Sequence, residues 1–184
     1  MKKSRITIHL AIFIIFLVGC VHAMLSLAHS ADEATEVKAR YEKLLADYSQ
    51  IVLHPTPKSP SATEYAVKNN MVSKELASLL RKDDEFAKKE GGMGYLDFDF
   101  LVNAQDLCKP LKIVGLVKNN ATYAMQVSNR SKECCKECDE TPYSFVLINE
   151  SGVWKIDDAA YSFKDDSGAD HKFSLKDVLN GKVD

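Results

Sequence analysis

Four cysteines carry the most definite chemistry in this sequence: Cys108, Cys134, Cys135 and Cys138. Cys135 and Cys138 stand at C-x-x-C spacing, which suits redox exchange or, with two further thiolates, a zinc site. The paired C-x-x-C…C-x-x-C of a zinc module is missing, however, and no βαβ pattern surrounds the motif as in a thioredoxin. An even set of cysteines in an exported chain predicts structural disulfides instead. A bond between the neighbours Cys134 and Cys135 would demand strained geometry. Cys108 is therefore expected to pair with one of them and Cys138 with the other. Neither a metal nor a cofactor is called for.

The second group with chemical potential is acidic. Tyr95 to Leu101 alternates aromatic or aliphatic residues with Asp97 and Asp99. In an extended segment both carboxylates would share one face, where they could bind a cation or act as an acid/base pair. The alternation fits more simply an edge segment with its apolar side inward and its acids in water. Nucleophilic catalysis lacks a base. His54 sits among prolines, His171 lies in a polar stretch, and His22 and His29 fall beside candidate cleavage sites. Gly91-Gly92-Met-Gly94 is not followed by the lysine and helix of a phosphate loop. No catalytic residue is assigned, and the chain reads as a non-enzyme.

Charge and hydropathy at the N-terminus set the compartment. Lys2, Lys3 and Arg5 precede an apolar run from Ile6 to Val18. That layout is a secretory signal, short for a membrane span, and it places residues 1–30 outside the working protein. Two processing routes fit. Leu17-Val18-Gly19-Cys20 resembles a lipobox, which would lipidate Cys20; the small residues after Val21-His22 or Ala28-His29 suit ordinary cleavage. The membrane is involved only through this segment or a lipid anchor. The whole chain has a net charge of −2, and the first thirty residues hold three cations and no acid, so the remainder carries −5. An acidic domain without clustered Lys and Arg excludes nucleic acid as the partner.

Residues 31–184 are one domain's length. Val37, Tyr41, Leu44, Tyr48 and Ile51 follow helical spacing and predict a helix over 31–53. Three prolines in His54–Pro60 break it. Ser61 caps a short helix to about Asn70, and Ser73 caps a third whose apolar face is Leu76, Leu79, Leu80 and Phe86, ending at Gly91-Gly92. The charge-dense stretch Lys82–Glu90 reads as a solvated face. Strands are expected over 111–118, 121–128, 143–148 and 153–157, with turns at Asn119-Asn120 and Asn149–Gly152. A polar, cysteine-rich loop spans 129–141, and Ser174 caps a terminal helix stopped by Gly181. Helices followed by an antiparallel meander define an α+β fold, with helices on one face of a curved sheet of about four strands.

Met71-Val-Ser73-Lys-Glu-Leu76, Asp97-Phe-Asp99, Asn103-Ala-Gln-Asp106 and Gly152-Val-Trp154-Lys-Ile156-Asp157 together resemble a bacterial domain family of unknown function. That family occurs in exported proteins and lipoproteins and resembles the cone-shaped fold of nuclear transport factor 2. The resemblance covers about residues 35–180 and leaves out the cysteine-rich loop. It implies a curved sheet closed by helices around a concavity, and it names Asp97, Asp99, Gln105 and Asp106 as ligand-binding candidates. It implies no activity, because this fold hosts enzymes and binding modules alike. The expectation is a non-catalytic envelope protein that binds a protein or small ligand. Two alternatives stand beside it: an immunity protein against a secreted toxin in the periplasm, and an enzyme using the Asp97, Asp99 and Asp106 acids. Oligomeric state is not set by the sequence.

Overall fold

A computed structural model describes residues 32–92, 94–104, 107–129, 142–164 and 170–182. The chain groups into two units, Met1–Val37 and Lys38–Asp184. Of the first, the described residues 32–37 are helical and open helix α1, residues 32–53. The export segment and Cys20 lie outside the described residues. Among those described, no helix is long and apolar enough to cross a membrane.

The second unit is α+β, with helices, an antiparallel sheet and a short C-terminal helix. After α1 come α2 (Ala62–Lys68) and α3 (Lys74–Glu90). Five strands follow: β1 (Lys112–Asn119), β2 (Thr122–Ser128), β3 (Tyr143–Glu150), β4 (Val153–Lys164) and β5 (Asp170–Ser174). Helix α4 (Leu175–Leu179) closes the order. The sheet is a meander in which each strand pairs with the next in sequence.

The helix starts are those the caps predict. Ser61 and Glu64 form a reciprocal capping box on α2, Ser73 accepts from the Leu76 amide on α3, and Ser174 accepts from Asp177 on α4, each satisfying an orphan N–H. Gly91 ends α3 at φ 68°, a left-handed conformation that costs glycine little. The hairpin turns also follow the sequence, with φ 52° at Asn120 and positive φ at both Ser151 and Gly152.

The sheet has one strand more than expected. β4 runs twelve residues, burying Ala159 and Tyr161 beyond the Val153–Asp157 segment, and β5 pairs back onto its far half. The polar composition of Asp170–Ser174 hides that strand from a hydrophobic pattern. The near half of β4 has no β5 beside it. There the chain leading into α3 takes the edge: Ile156 donates to the Met71 carbonyl at 2.7 Å, and Ser73 donates to the Ile156 carbonyl at 2.8 Å. Backbone groups that would be orphaned in the interior are thereby paired.

One sheet face buries Tyr123, Met125 and Val127 of β2 opposite Leu147, Phe145 and Tyr143 of β3. Tyr41, Leu45 and Tyr48 of α1 and Leu76 and Leu80 of α3 are also fully buried. Leu45 takes the core position that the spacing gives to Leu44, which is half-buried. Phe86, placed by the spacing on the apolar face of α3, is 40% exposed and stacks on Tyr95 with ring centroids 5.2 Å apart. Its core place goes to Asp83, which is 7% exposed and follows Leu76 and Leu80 at helical spacing.

The core is rich in tyrosine, and four of its hydroxyls are spent on main-chain carbonyls. Tyr41 donates to Met71 at 2.9 Å, Tyr65 to Leu44 at 3.0 Å, Tyr161 to Phe100 at 2.9 Å, and Tyr143 to Leu101. Burial lifts the Tyr41, Tyr143 and Tyr161 phenols far above their ordinary range, so all three stay protonated donors. The last two bonds fasten Phe100–Leu101 to the sheet and fix the segment that walls the candidate site.

Candidate functional site

Four stretches of chain meet around a groove of about 480 Å³. The C-terminal half of α1 contributes Tyr48, Ile51 and Val52. The proline loop and the first residues of α2 form one wall. The middle of α3 brings Asp83 and Asp84, and the segment after α3 brings Leu96, Phe98, Asp99 and Phe100. Its volume and mixed lining fall in the range of ligand sites. A second depression of about 560 Å³ adjoins it, sharing Ser59, Ser61 and Asp84 and running toward Lys88, Gly91 and Gly92.

Asp99 is the most constrained group here. One carboxylate oxygen accepts from the Leu101 amide at 2.9 Å and the Val102 amide at 3.2 Å. The other accepts from the Tyr48 hydroxyl at 2.5 Å. The Asp99 carbonyl also accepts from Asn103 at 2.7 Å, and Asn103 takes a left-handed φ of 55°. Asp99 therefore caps a tight turn, as Asp commonly does. Burial raises its carboxyl above the ordinary value, while Tyr48, Val102 and Leu101 pull the other way. Burial, followed by the nearby Asp99 charge, pushes the Tyr48 phenol well above its own range, so the proton stays on Tyr48.

Asp83 is spent in the same manner, accepting from the Tyr95 amide at 2.6 Å and the Leu96 amide at 3.4 Å. The chain comes so close that a Cβ on Gly94 would lie 2.5 Å from both Asp83 oxygens, so a larger residue there would have to displace the Asp83 carboxylate from its amide donors. Asp84 is half-buried. Desolvation raises its carboxyl, offset in part by Lys88 and then reinforced by Asp83 and Glu64; it also bonds the Thr63 side chain.

The predicted site residues thus fare differently. Asp99 walls the groove, but Asp97 is exposed and is not part of it. Asp97 is exposed whereas Asp99 is half-buried against Tyr48, and after Asp99 the chain turns back through an isolated bridge to Ala104 instead of running on extended. Asp99 is accordingly not an acid in water, and the geometry of an Asp97/Asp99 acid/base pair is not formed. Gln105 and Asp106 lie outside the described residues. Cys108 is disulfide-bonded; Cys134, Cys135 and Cys138 lie outside the described residues. Among the described residues, no group of three or more His, Cys, Asp or Glu side chains could hold a metal ion.

Asp83 and Asp84 were hidden in the charge run 82–90, read as a solvated face. The available signal was helical spacing: Asp83 is seven residues after Leu76 and three after Leu80, squarely on the buried stripe.

No family model matches this sequence, and no curated relative does. Among solved structures, the chain is similar to the crystal structure of a protein of unknown function from Bacteroides thetaiotaomicron VPI-5482. The two are 17% identical with a TM-score of 0.49, over 74% of this chain and 98% of that one.

Proposed function

We propose that this chain is a non-catalytic, exported binding module of the cell envelope, and that the groove between the proline loop and the 96–100 segment is its ligand site. The observation that carries this reading is a ligand-sized groove whose most enclosed carboxylates are already occupied. Asp99 accepts three hydrogen bonds and Asp83 two, all from the protein itself. A general acid or base must reach a proton on the substrate. These carboxylates instead shape the wall and set its charge. Export is supported by the basic and apolar N-terminal layout and fits the disulfide at Cys108, since such bonds persist in oxidising compartments.

The test is retention of a partner by the groove. Full-length tagged protein, recovered from the cell envelope, is expected to carry a protein partner by affinity capture or a small ligand by native mass spectrometry. Ala62→Trp, which projects an indole into the groove from the first turn of α2, is expected to lose it while keeping a native circular dichroism spectrum. Equal retention by both forms, or no retained species in either, would overturn the assignment. A captured toxin would specify the immunity role within the same reading.

A further inference from the structure

The two depressions, taken with the charges around them, specify a ligand class. We propose that the groove binds an extended basic peptide segment of a partner protein, seating apolar side chains in the first depression and a lysine or arginine against Asp84. This inference rests on the groove being the binding site.

Shape is the first argument. Each depression alone is the size of a small-molecule site. Joined through Ser59, Ser61 and Asp84, they suit something longer than one compact molecule. The first is floored by Ile51, Val52, Leu96, Phe98 and Phe100, which suits an apolar anchor. The second is lined by Glu64, Lys88, Gly91 and Gly92 and suits a solvated continuation of the chain.

Charge is the second argument. Asp83, Asp84, Asp99 and Glu64 line the joined groove, with Lys88 as the cation lining it among the described residues. Hydrogen bonds from neutral amides and hydroxyls orient these carboxylates without cancelling their charge. Burial outweighs the favourable neighbours at Asp84 and Asp99 and holds both carboxyls above the ordinary range. A cation arriving at the groove would relieve that imbalance, whereas an anion would deepen it. Asp84 is the natural contact because it is less buried than Asp83 and belongs to both depressions.

The test uses the full-length oxidised protein and two fluorescein-labelled octapeptides, one alternating leucine with arginine and one alternating leucine with glutamate. By fluorescence anisotropy the arginine peptide is expected to bind at least tenfold more tightly. Asp84→Asn should weaken it about tenfold and flatten its salt dependence. Ala62→Trp in the first depression and Ala87→Trp in the second should each weaken it, as an extended ligand requires. Equal binding of the two peptides, no binding of either, or indifference to all three substitutions would overturn the proposal. The reading beneath it is separable. Should the arginine peptide fail while envelope-derived retention still disappears in Ala62→Trp, the peptide class is wrong and the groove stands. Should retention persist in Ala62→Trp, both fall.

Discussion

Replacing Asp99 with alanine strands three donors at one buried place: the Leu101 and Val102 amides and the Tyr48 hydroxyl. An unsatisfied buried donor costs about 1–3 kcal/mol. The substitution also removes a carboxylate whose burial was unfavourable, as its raised pKa records. The two effects oppose each other, and the net expectation is a loss of about 3 kcal/mol, toward the large end for one substitution. Asp99→Asn separates them. Its amide oxygen can still accept from Leu101 and Val102 and its charge is gone, but its amide nitrogen cannot accept from Tyr48, so the loss should be smaller than for alanine, about 1–2 kcal/mol. Tyr48→Phe removes one donor and should cost about 1–2 kcal/mol. In the Tyr48→Phe background, Asp99→Ala should cost less than in the native protein, since one stranded donor is already gone. The assay is urea unfolding of the oxidised protein, read as a change in midpoint at constant slope. The pH dependence adds an independent check. The Asp99 carboxyl is raised above its ordinary value of 3.8 in the folded state, so the fold holds that proton more tightly than the unfolded chain does. The resulting stability is fully present below 3.8 and is lost as pH rises through the folded value. Native protein should therefore gain stability relative to Asp99→Asn as pH falls from 7 toward 4. An Asp99→Ala variant within about 0.5 kcal/mol of native, or a native-to-Asn difference flat across that pH range, would refute the account of Asp99 as a buried, charged turn cap.

Two further substitutions probe constraints on the fold outside the groove lining. Gly94→Ala forces a methyl into the Asp83 carboxylate and should destabilise by about 1–3 kcal/mol, the usual cost of overpacking, measurable by thermal melting. Cys108→Ser opens the disulfide and should cost about 2–4 kcal/mol in the same melt, with one new free thiol per chain by mass spectrometry after alkylation. Unchanged stability with no new thiol would refute the bond.

What the sequence made legible follows from how local each signal is. Serine caps and turn residues act over three or four positions, so Ser61, Ser73, Ser174, Asn120 and Gly152 mark their elements directly. Hydrophobic alternation marks β2 and β3 because each buries one face completely. β5 escaped because Asp170-His-Lys-Phe-Ser174 is held to β4 by backbone pairing, which leaves no trace in side-chain type. The candidate site was only partly legible. Asp99 stood out as an acid between aromatics, yet its environment is set by Tyr48, fifty-one residues away, and by a turn that alternation disguises as a strand. Asp83 was masked by its charged neighbours, since a carboxylate on a buried stripe reads as an error until its amide donors are known.

Those placements bear on why the groove suits binding. Glu64 belongs to the α2 capping box, Asp83 holds the chain at Tyr95–Leu96, and Asp99 caps the turn at Leu101–Val102. Each acid is fixed by a structural task on a different element, so the negative wall exists before any guest arrives. A guest need not order these side chains, which removes one of the usual costs of association. The free protein correspondingly bears the cost of keeping carboxylates partly out of water at Asp84 and Asp99. A cationic guest should therefore stabilise the fold by mass action, with about 2.7 kcal/mol gained at a hundredfold excess over Kd. Under the proposed binding role, the acids that make the groove costly to fold would be the same ones that select what fills it.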